Sequence, residues 1–192
     1  PAWVCLDFVN LKDRENGNNE PESHEDVNGT FGGELSSALE FFGWMDDGDN
    51  IYEVGERTLF GTSTQVATTT LRNTTYALAD SQNGSAFPVN STRYVGVSWC
   101  AGNLTVSTST ATITCDGTIL GNGVQTDAMK VDVSLRAVST ANNANFLCQT
   151  DKPKPKTGPD NDNWGPGSNN DDKGYDDGES RGEGGGDPCP AA

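Results

Sequence analysis

The sequence predicts an all-β protein, with an antiparallel β-sandwich over residues 1–150 followed by a disordered tail over residues 151–192. Three observations support this prediction. Apolar and polar residues alternate with a period of two, short strand candidates are separated by Gly, Asn, Asp and Ser, and the composition changes abruptly after Cys148. Strand and helix patterns do not alternate regularly, which disfavours a parallel α/β sheet.

The clearest strand signal lies at residues 128–138. Five apolar residues on one face alternate there with polar residues on the other, which predicts a half-buried strand. The apolar set is Met129, Val131, Val133, Leu135 and Ala137.

Residues 93–99 and 104–115 are rich in Val, Thr, Ile and aromatic residues, and a turn signal at Ala101-Gly102-Asn103 separates them. This arrangement predicts a β-hairpin. Residues 2–9, 59–60 and 65–71 are further strand candidates. Residues 34–44 fit both a strand and a helix, and we interpret them as a strand. The aromatic residues on these strands are expected in the core, namely Trp3, Phe41, Phe42, Trp44 and Trp99.

Cysteine pairing follows from this layout. Cys100 and Cys115 end the two arms of the predicted hairpin, so they are expected to pair. Cys5 and Cys148 lie on the first and last predicted strands, which could neighbour one another in a sandwich, and form the second expected disulfide. Cys189 is left over in the tail. The spacing of cysteines and of the single histidine, His24, does not match a zinc site.

The chain carries 28 acidic and 12 basic residues, a net charge of −16, which disfavours nucleic acid and anionic lipid as partners. The apolar runs are shorter than the roughly 18 residues expected of a membrane-spanning helix. Residues 151–192 contain few apolar residues and many Pro, Gly and Asp, which predicts a disordered acidic linker.

Negative charge is concentrated between Asp7 and Glu56, where 14 acidic residues face only 2 basic ones. Within this stretch a run of carboxylates surrounds Gly48. Calcium prefers such oxygen ligands, so the run is a candidate Ca²⁺ site, and a solvated acidic loop is the alternative interpretation. A second acidic cluster at residues 13–26 could fold against the first. The candidate ligands are Asp46, Asp47, Asp49, Asn50 and Glu53.

Several features favour an exported protein. The cysteines are well separated, lysine is scarce, and Asn-x-Ser/Thr sequons are frequent. We expect a signal peptide to have been removed or to lie upstream of Pro1. The candidate glycosylation sites are Asn28, Asn73, Asn83, Asn90 and Asn103.

Short motifs through residues 2–148 resemble the TasA/camelysin family of secreted biofilm-matrix fibre proteins, in the versions carried by archaea and little-studied bacteria. They include Trp99-Cys100-Ala101-Gly102, Cys115-Asp116-Gly117 and the Asn-rich stretch 142–148 that ends at Cys148. Ala2-Trp3-Val4-Cys5 and residues 44–50 are similar too. The resemblance implies a jelly-roll-like β-sandwich, secretion, and assembly into extracellular fibres.

In such fibres the N-terminal segment of one subunit is expected to complete the sheet of its neighbour, so the expected partner is another copy of the chain. Family members begin with a segment ahead of the region matched here, so we expect a further segment ahead of Pro1. The acidic tail is unusual and suggests a spacer to a cell-envelope anchor or another domain. The expected role is therefore non-enzymatic. The alternatives are a camelysin-type metalloprotease and a monomeric cell-surface adhesive module.

Overall fold

The computed structural model describes residues 1–26, 32–63 and 65–149. These residues belong to the first of two units into which the chain divides, Pro1–Lys156. The second unit, Thr157–Ala192, lies outside the described residues. The predicted tail over residues 151–192, including Cys189, therefore lies outside them as well.

The described residues form eight strands and three one-turn helices. The helices are α1 (Glu22–Glu25), α2 (Leu35–Ala38) and α3 (Ala67–Thr70). In this part of the chain no helix is long and apolar enough to cross a membrane. The strands are β1 (Ala2–Arg14), β2 (Leu39–Asp46), β3 (Thr58–Phe60), β4 (Thr74–Ala79), β5 (Tyr94–Ala101), β6 (Asn103–Ser107), β7 (Thr112–Asp116) and β8 (Ala128–Ser139).

All strand pairs are antiparallel. Sheet A has the order β4-β1-β8, sheet B has the order β3-β2-β5, and β6 pairs with β7 in a separate hairpin. The chain crosses between sheets A and B after β1, β3 and β4, as it does in jelly-roll topologies. The predicted all-β antiparallel jelly-roll-like sandwich is confirmed.

The main core lies between sheets A and B. Leu6 and Phe8 of β1 pack there with Leu39 of β2, Phe60 of β3 and Leu78 of β4, and all five are buried. The ring of Phe8 meets that of Phe60 edge-on, with centroids 5.6 Å apart. Burial of these side chains supplies most of the free energy that holds the two sheets together.

A second core covers the outer face of sheet B. Phe42 and Trp44 of β2 stack with ring centroids 5.4 Å apart, and Leu104 of β6 packs over them. The Cys100–Cys115 disulfide joins β5 to β7 and so ties the hairpin to sheet B. Both faces of β2 are therefore buried.

The outer face of sheet A is covered by the segment that follows β8. The Cys5–Cys148 disulfide joins this segment to β1. Beneath it, the carboxylate of Asp7 is fully buried and accepts hydrogen bonds from the Thr75 hydroxyl at 2.8 Å and from Arg136 Nε at 3.3 Å. Because buried charges are tolerated when they are paired and hydrogen-bonded, this network fits the burial of Asp7.

The predicted hairpin between residues 93–99 and 104–115 is wrong. β5 pairs with β2, and the second segment turns back on itself at residues 108–111 to form β6 and β7. The β-rich composition located the strands, but composition alone does not choose their partners. Both expected disulfides are present, although Cys100 and Cys115 join β5 to the hairpin and Cys148 lies beyond the last strand.

Two other strand assignments need correction. Residues 65–71 contain α3, where Ala67 and Leu71, four residues apart, are both buried as on one face of a helical turn. Residues 34–44 contain both α2 and the first part of β2, so the two competing interpretations each describe one half. Strand β4 was not predicted.

The two disulfides differ in the length of chain that they close. They join residues 143 and 15 positions apart, respectively. Loop-closure entropy therefore predicts that removing Cys5–Cys148 (C5A/C148A) lowers the free energy of unfolding by about 5 kcal/mol, against about 3 kcal/mol for C100A/C115A. Equilibrium urea denaturation measures both. A larger loss for C100A/C115A would contradict this ranking.

Asp80, directly after β4, anchors the C-terminal segment. Its buried carboxylate accepts hydrogen bonds from the backbone N–H groups of Gln82 at 2.9 Å, Asn83 at 2.7 Å and Cys148 at 3.2 Å. Burial alone would raise the pKa of Asp80, but these hydrogen bonds lower it below its ordinary 3.8. The stability that the ionised group supplies is therefore present above pH 3.8 and is lost as the pH falls through the lowered pKa.

Asp80→Asn is expected to destabilise the domain by about 1–3 kcal/mol at pH 7, because the amide nitrogen cannot accept the Cys148 hydrogen bond. The difference from wild type should narrow as the pH falls below 3.8, because the unfolded chain then takes up a proton at Asp80 that the folded protein, with its lowered pKa, resists. Urea denaturation at pH 7 and pH 3 tests this, with the exposed Asp49→Asn as a control. An equal deficit at both pH values would contradict the assignment.

Candidate functional site

One side of the sandwich ends in two unpaired strands. β1 and β2 are central in their sheets, and β4 faces β3, with the rings of Tyr76 and Phe60 4.7 Å apart. β5 and β8 therefore lie together on the side of the sandwich opposite to β3 and β4. In the described part of the chain, each of these two strands has a hydrogen-bonded neighbour on one side only. We call this side the open edge, defined by β5 and β8.

The inward face of β8 is only partly covered. In the antiparallel register Val133 lies opposite Phe8 and Leu135 opposite Leu6, so both point to the side of the core. Met129, earlier in β8, packs against the core, yet Val133 is 61% exposed and Leu135 67% exposed. The alternation that predicted β8 is confirmed, but half of its apolar face has no cover.

β5 shows the same arrangement from the other sheet. Trp99 lies opposite Phe41, which packs in the main core, and Val97 lies opposite Gly43. Trp99 is nonetheless 62% exposed and Val97 47% exposed. The expectation that Trp99 belongs to the core is therefore wrong. β5 is an edge strand, and the described residues of the facing sheet do not cover the Trp99 side chain.

The opposite side of the sandwich is closed by side chains. Arg57 donates hydrogen bonds to the carbonyl oxygens of Ala77 at 3.0 Å and Leu78 at 2.5 Å on β4, and the amide of Gln149 donates to Thr75 at 2.6 Å. Within the described residues no side chain donates to the backbone of β8 between positions 131 and 138. Edge carbonyls that are already bonded cannot pair with another strand, so the open edge is where a strand could be added.

An apolar depression of about 350 Å³ continues the open edge beyond Leu135. Ala137 of β8 lines it together with Val4, Phe87 and Val89. A depression next to a free strand edge can receive a side chain of an added strand, the usual source of specificity when an extended peptide joins a sheet.

The acidic run predicted as a Ca²⁺ site forms the connection between β2 and β3. Carboxylate oxygens of Asp47, Asp49 and Glu53 lie within 4.8 Å of one another, as do those of Asp46, Asp47 and Glu56. The backbone N–H of Asn50 donates to Asp46 Oδ2 at 3.2 Å. The charges of Asp47 and Asp49, followed by burial, raise the pKa of Glu53.

Backbone donors already satisfy much of this loop. Asp46 Oδ2 accepts hydrogen bonds from Gly48 N at 2.9 Å and Asn50 N at 3.2 Å, and Glu56 Oε2 accepts one from Glu53 N at 2.9 Å. Asp47, Asp49 and Glu53 are exposed. The arrangement is that of a solvated loop, and calcium binding by it stays a prediction.

The second acidic cluster does not fold against the first but around the start of β8. Oxygens of Glu15, Glu22 and Asp127 lie within 4.8 Å of one another, and Glu15 also belongs to a group with Asp26 and Glu34. Glu22 is fully buried, and its carboxylate accepts hydrogen bonds from the backbone N–H and the hydroxyl of Thr126. We call Glu15, Glu22, Glu34 and Asp127 the carboxylate cluster.

Sequence reasoning placed Glu15 and Glu22 in an acidic region but missed Glu34 and Asp127. Asp127 stands more than 100 residues away, and only the pairing of β8 with β1 brings it beside Glu15. Gly33 permits this contact, since a Cβ there would lie 2.7 Å from the Arg14 carbonyl and 2.8 Å from Asp127 Cγ. The Gly-Glu pair at residues 33–34 is the one feature of the local sequence that could have indicated this cluster.

The sequons occupy different environments. Asn73, Asn83 and Asn90 are exposed, although the side-chain nitrogen of Asn83 donates to Asp80 at 3.0 Å, and Asn103 is half-buried. Asn28 lies outside the described residues. Glycosylation at these sequons therefore stays a prediction.

Comparisons of this chain with protein-family models, with curated proteins and with solved structures found no match.

Proposed function

We propose that the domain is a secreted, non-enzymatic subunit of an extracellular fibre or biofilm matrix, which assembles when a strand from another copy pairs at the open edge. The observation that carries the proposal is the exposure of inward-facing apolar side chains on both strands of this edge. Val97 and Trp99 of β5 and Val133 and Leu135 of β8 are each between 47% and 67% exposed.

Strand addition would meet two needs at once. A strand paired with β8 would bond backbone N–H and C=O groups that otherwise face water, and its alternate side chains would cover Val133 and Leu135. The same strand would bring apolar side chains towards Trp99 on β5. Burial of apolar area at roughly 25 cal/mol per Å² favours such a complex over two exposed edges.

The resemblance to the TasA/camelysin family suggests the donor, which is the N-terminal segment of a neighbouring subunit. Secretion is supported by the two disulfides, because such bonds persist in oxidising compartments outside the cytosol. A stable disulfide-bonded sandwich is suited to a structural role outside the cell.

The assembly test uses charges placed on the open edge of the full-length protein. V133K/L135K is expected to fold like wild type, because both side chains are exposed, and to abolish fibres, because an added strand would have to bury two ammonium groups. V54K/I119K is the matched control, since these exposed apolar residues lie outside β5 and β8. Negative-stain microscopy and sedimentation measure assembly, and circular dichroism checks the fold.

Fibres formed equally well by V133K/L135K would contradict pairing at this edge. Wild-type protein that stays monomeric under all conditions would contradict the fibre role and favour an adhesive module. Casein cleavage with stoichiometric zinc would favour the camelysin-type protease.

A further inference from the structure

Asparagine followed by glycine is a pair whose own atoms can react. The glycine nitrogen can attack the side-chain amide carbon of the asparagine, and the absence of a glycine side chain leaves that nitrogen accessible. The reaction needs a base that removes the proton of the glycine N–H, and a proton for the amide nitrogen that departs. Three such pairs lie within the described residues, namely Asn16-Gly17, Asn83-Gly84 and Asn122-Gly123.

The pair Asn122-Gly123 lies against the carboxylate of Glu25, the last residue of α1. Glu25 Oε2 accepts a hydrogen bond from the Gly123 backbone N–H at 3.1 Å, and Glu25 Oε1 accepts one from Asn122 Nδ2 at 3.1 Å. The Asn122 backbone N–H also donates to Oε2, at 2.6 Å. One carboxylate therefore contacts both the nitrogen that would attack and the nitrogen that would leave.

Gly121 allows Glu25 to come this close. A Cβ at position 121 would lie 2.5 Å from Glu25 Oε2, which is too short for two atoms that are not bonded. Because Oε2 ends a flexible side chain, a larger residue at this position would displace the carboxylate rather than the backbone. Glu25 and Asn122 are both exposed, so water reaches the pair.

The other two pairs have only half of this arrangement. In Asn16-Gly17 the glycine N–H donates to Glu15 Oε1 at 3.0 Å, but no carboxylate among the described residues accepts a hydrogen bond from the asparagine side chain. In Asn83-Gly84 the asparagine Nδ2 donates to Asp80 Oδ1 at 3.0 Å, whereas the glycine N–H has no carboxylate partner in the described part of the chain. Asn122-Gly123 alone of the three has a carboxylate at both nitrogens.

We propose that Asn122 is a self-catalysed deamidation site, with Glu25 as its general base. Glu25 takes the proton of the Gly123 nitrogen while that nitrogen bonds to Asn122 Cγ, which closes a cyclic imide. The bond between Cγ and Nδ2 then breaks, and the Glu25 carboxyl group returns the proton to Nδ2, which departs as ammonia. Water opens the imide at either carbonyl group and leaves aspartate or isoaspartate at position 122.

Two effects favour reaction at this pair. The hydrogen bonds to Glu25 hold the reacting atoms together beforehand, and a positioned general base typically accelerates a reaction by about 10²–10⁴-fold. Each product places a new carboxylate beside that of Glu25, and the repulsion weakens the contact between α1 and the loop over residues 117–127. The inference does not depend on the proposed assembly, because it concerns the folded monomer.

Peptide mapping by mass spectrometry of the full chain, incubated at pH 7, follows all three asparagines in one sample. In wild type, Asn122 is expected to convert to aspartate and isoaspartate faster than Asn16 and Asn83. Glu25→Gln is expected to slow conversion of Asn122 at least about tenfold, because an amide does not take up the proton, and to leave the other two rates unchanged. Glu20→Gln, which changes an exposed carboxylate close to α1, is the matched control and should keep the wild-type rate.

The direction of the change separates catalysis from a purely structural role. If Glu25 only held the loop in place, its removal would free the Gly123 nitrogen and speed conversion. Gly121→Ala, which displaces Glu25 without removing it, is expected to slow conversion of Asn122 as well, and circular dichroism checks that both variants fold. The proposal is overturned if wild-type Asn122 converts no faster than the other two asparagines, if Glu25→Gln keeps or raises the rate, or if Glu20→Gln lowers it equally.

Discussion

An apolar side chain that points into a β-sandwich is stabilising only if another layer covers it, and the architecture of this protein depends on where that condition is met. It is met around β1 and β2, where the two sheets, the hairpin and the C-terminal segment bury residues such as Phe8 and Phe42. It is not met at β5 and β8. The molecule is thus a well-packed centre with one uncovered side.

The uncovered side contrasts with the protection found elsewhere. Arg57 and Gln149 occupy the carbonyl oxygens of β4, a common way to prevent unwanted strand pairing. The two disulfides fix the segment after β8 on the outer face of sheet A and the β6-β7 hairpin on the outer face of sheet B. The outer edge of β8 has no strand neighbour among the described residues. At the other end of β8, the carboxylate cluster gathers acidic side chains around Asp127.

The sequence could predict features that depend on local pattern. The alternation in β8, the β-rich composition and both cysteine pairs pointed to an antiparallel sandwich, and the structure confirms it. The sequence pattern could not predict which strands lie at an edge, because the exposed Val133 and Leu135 follow the same alternation as the covered Met129. Nor could the sequence pattern predict that Asp127 lies beside Glu15, since that contact depends on strand pairing across more than 100 residues. The strand predicted at residues 65–71 was wrong. The β-branched threonines there favour strands in general, whereas the burial of Ala67 and Leu71 on one face favours a helical turn.

The central claim is that the open edge is the acceptor for another strand, and hydrogen–deuterium exchange tests it most directly. In the dispersed protein, the β8 amides that point away from β1 should exchange rapidly, whereas those bonded to β1 should be protected. In the assembled protein, the first group should become protected together with the segment that donates the strand. Unchanged exchange along β8 and β5 in material that has plainly assembled would contradict the account.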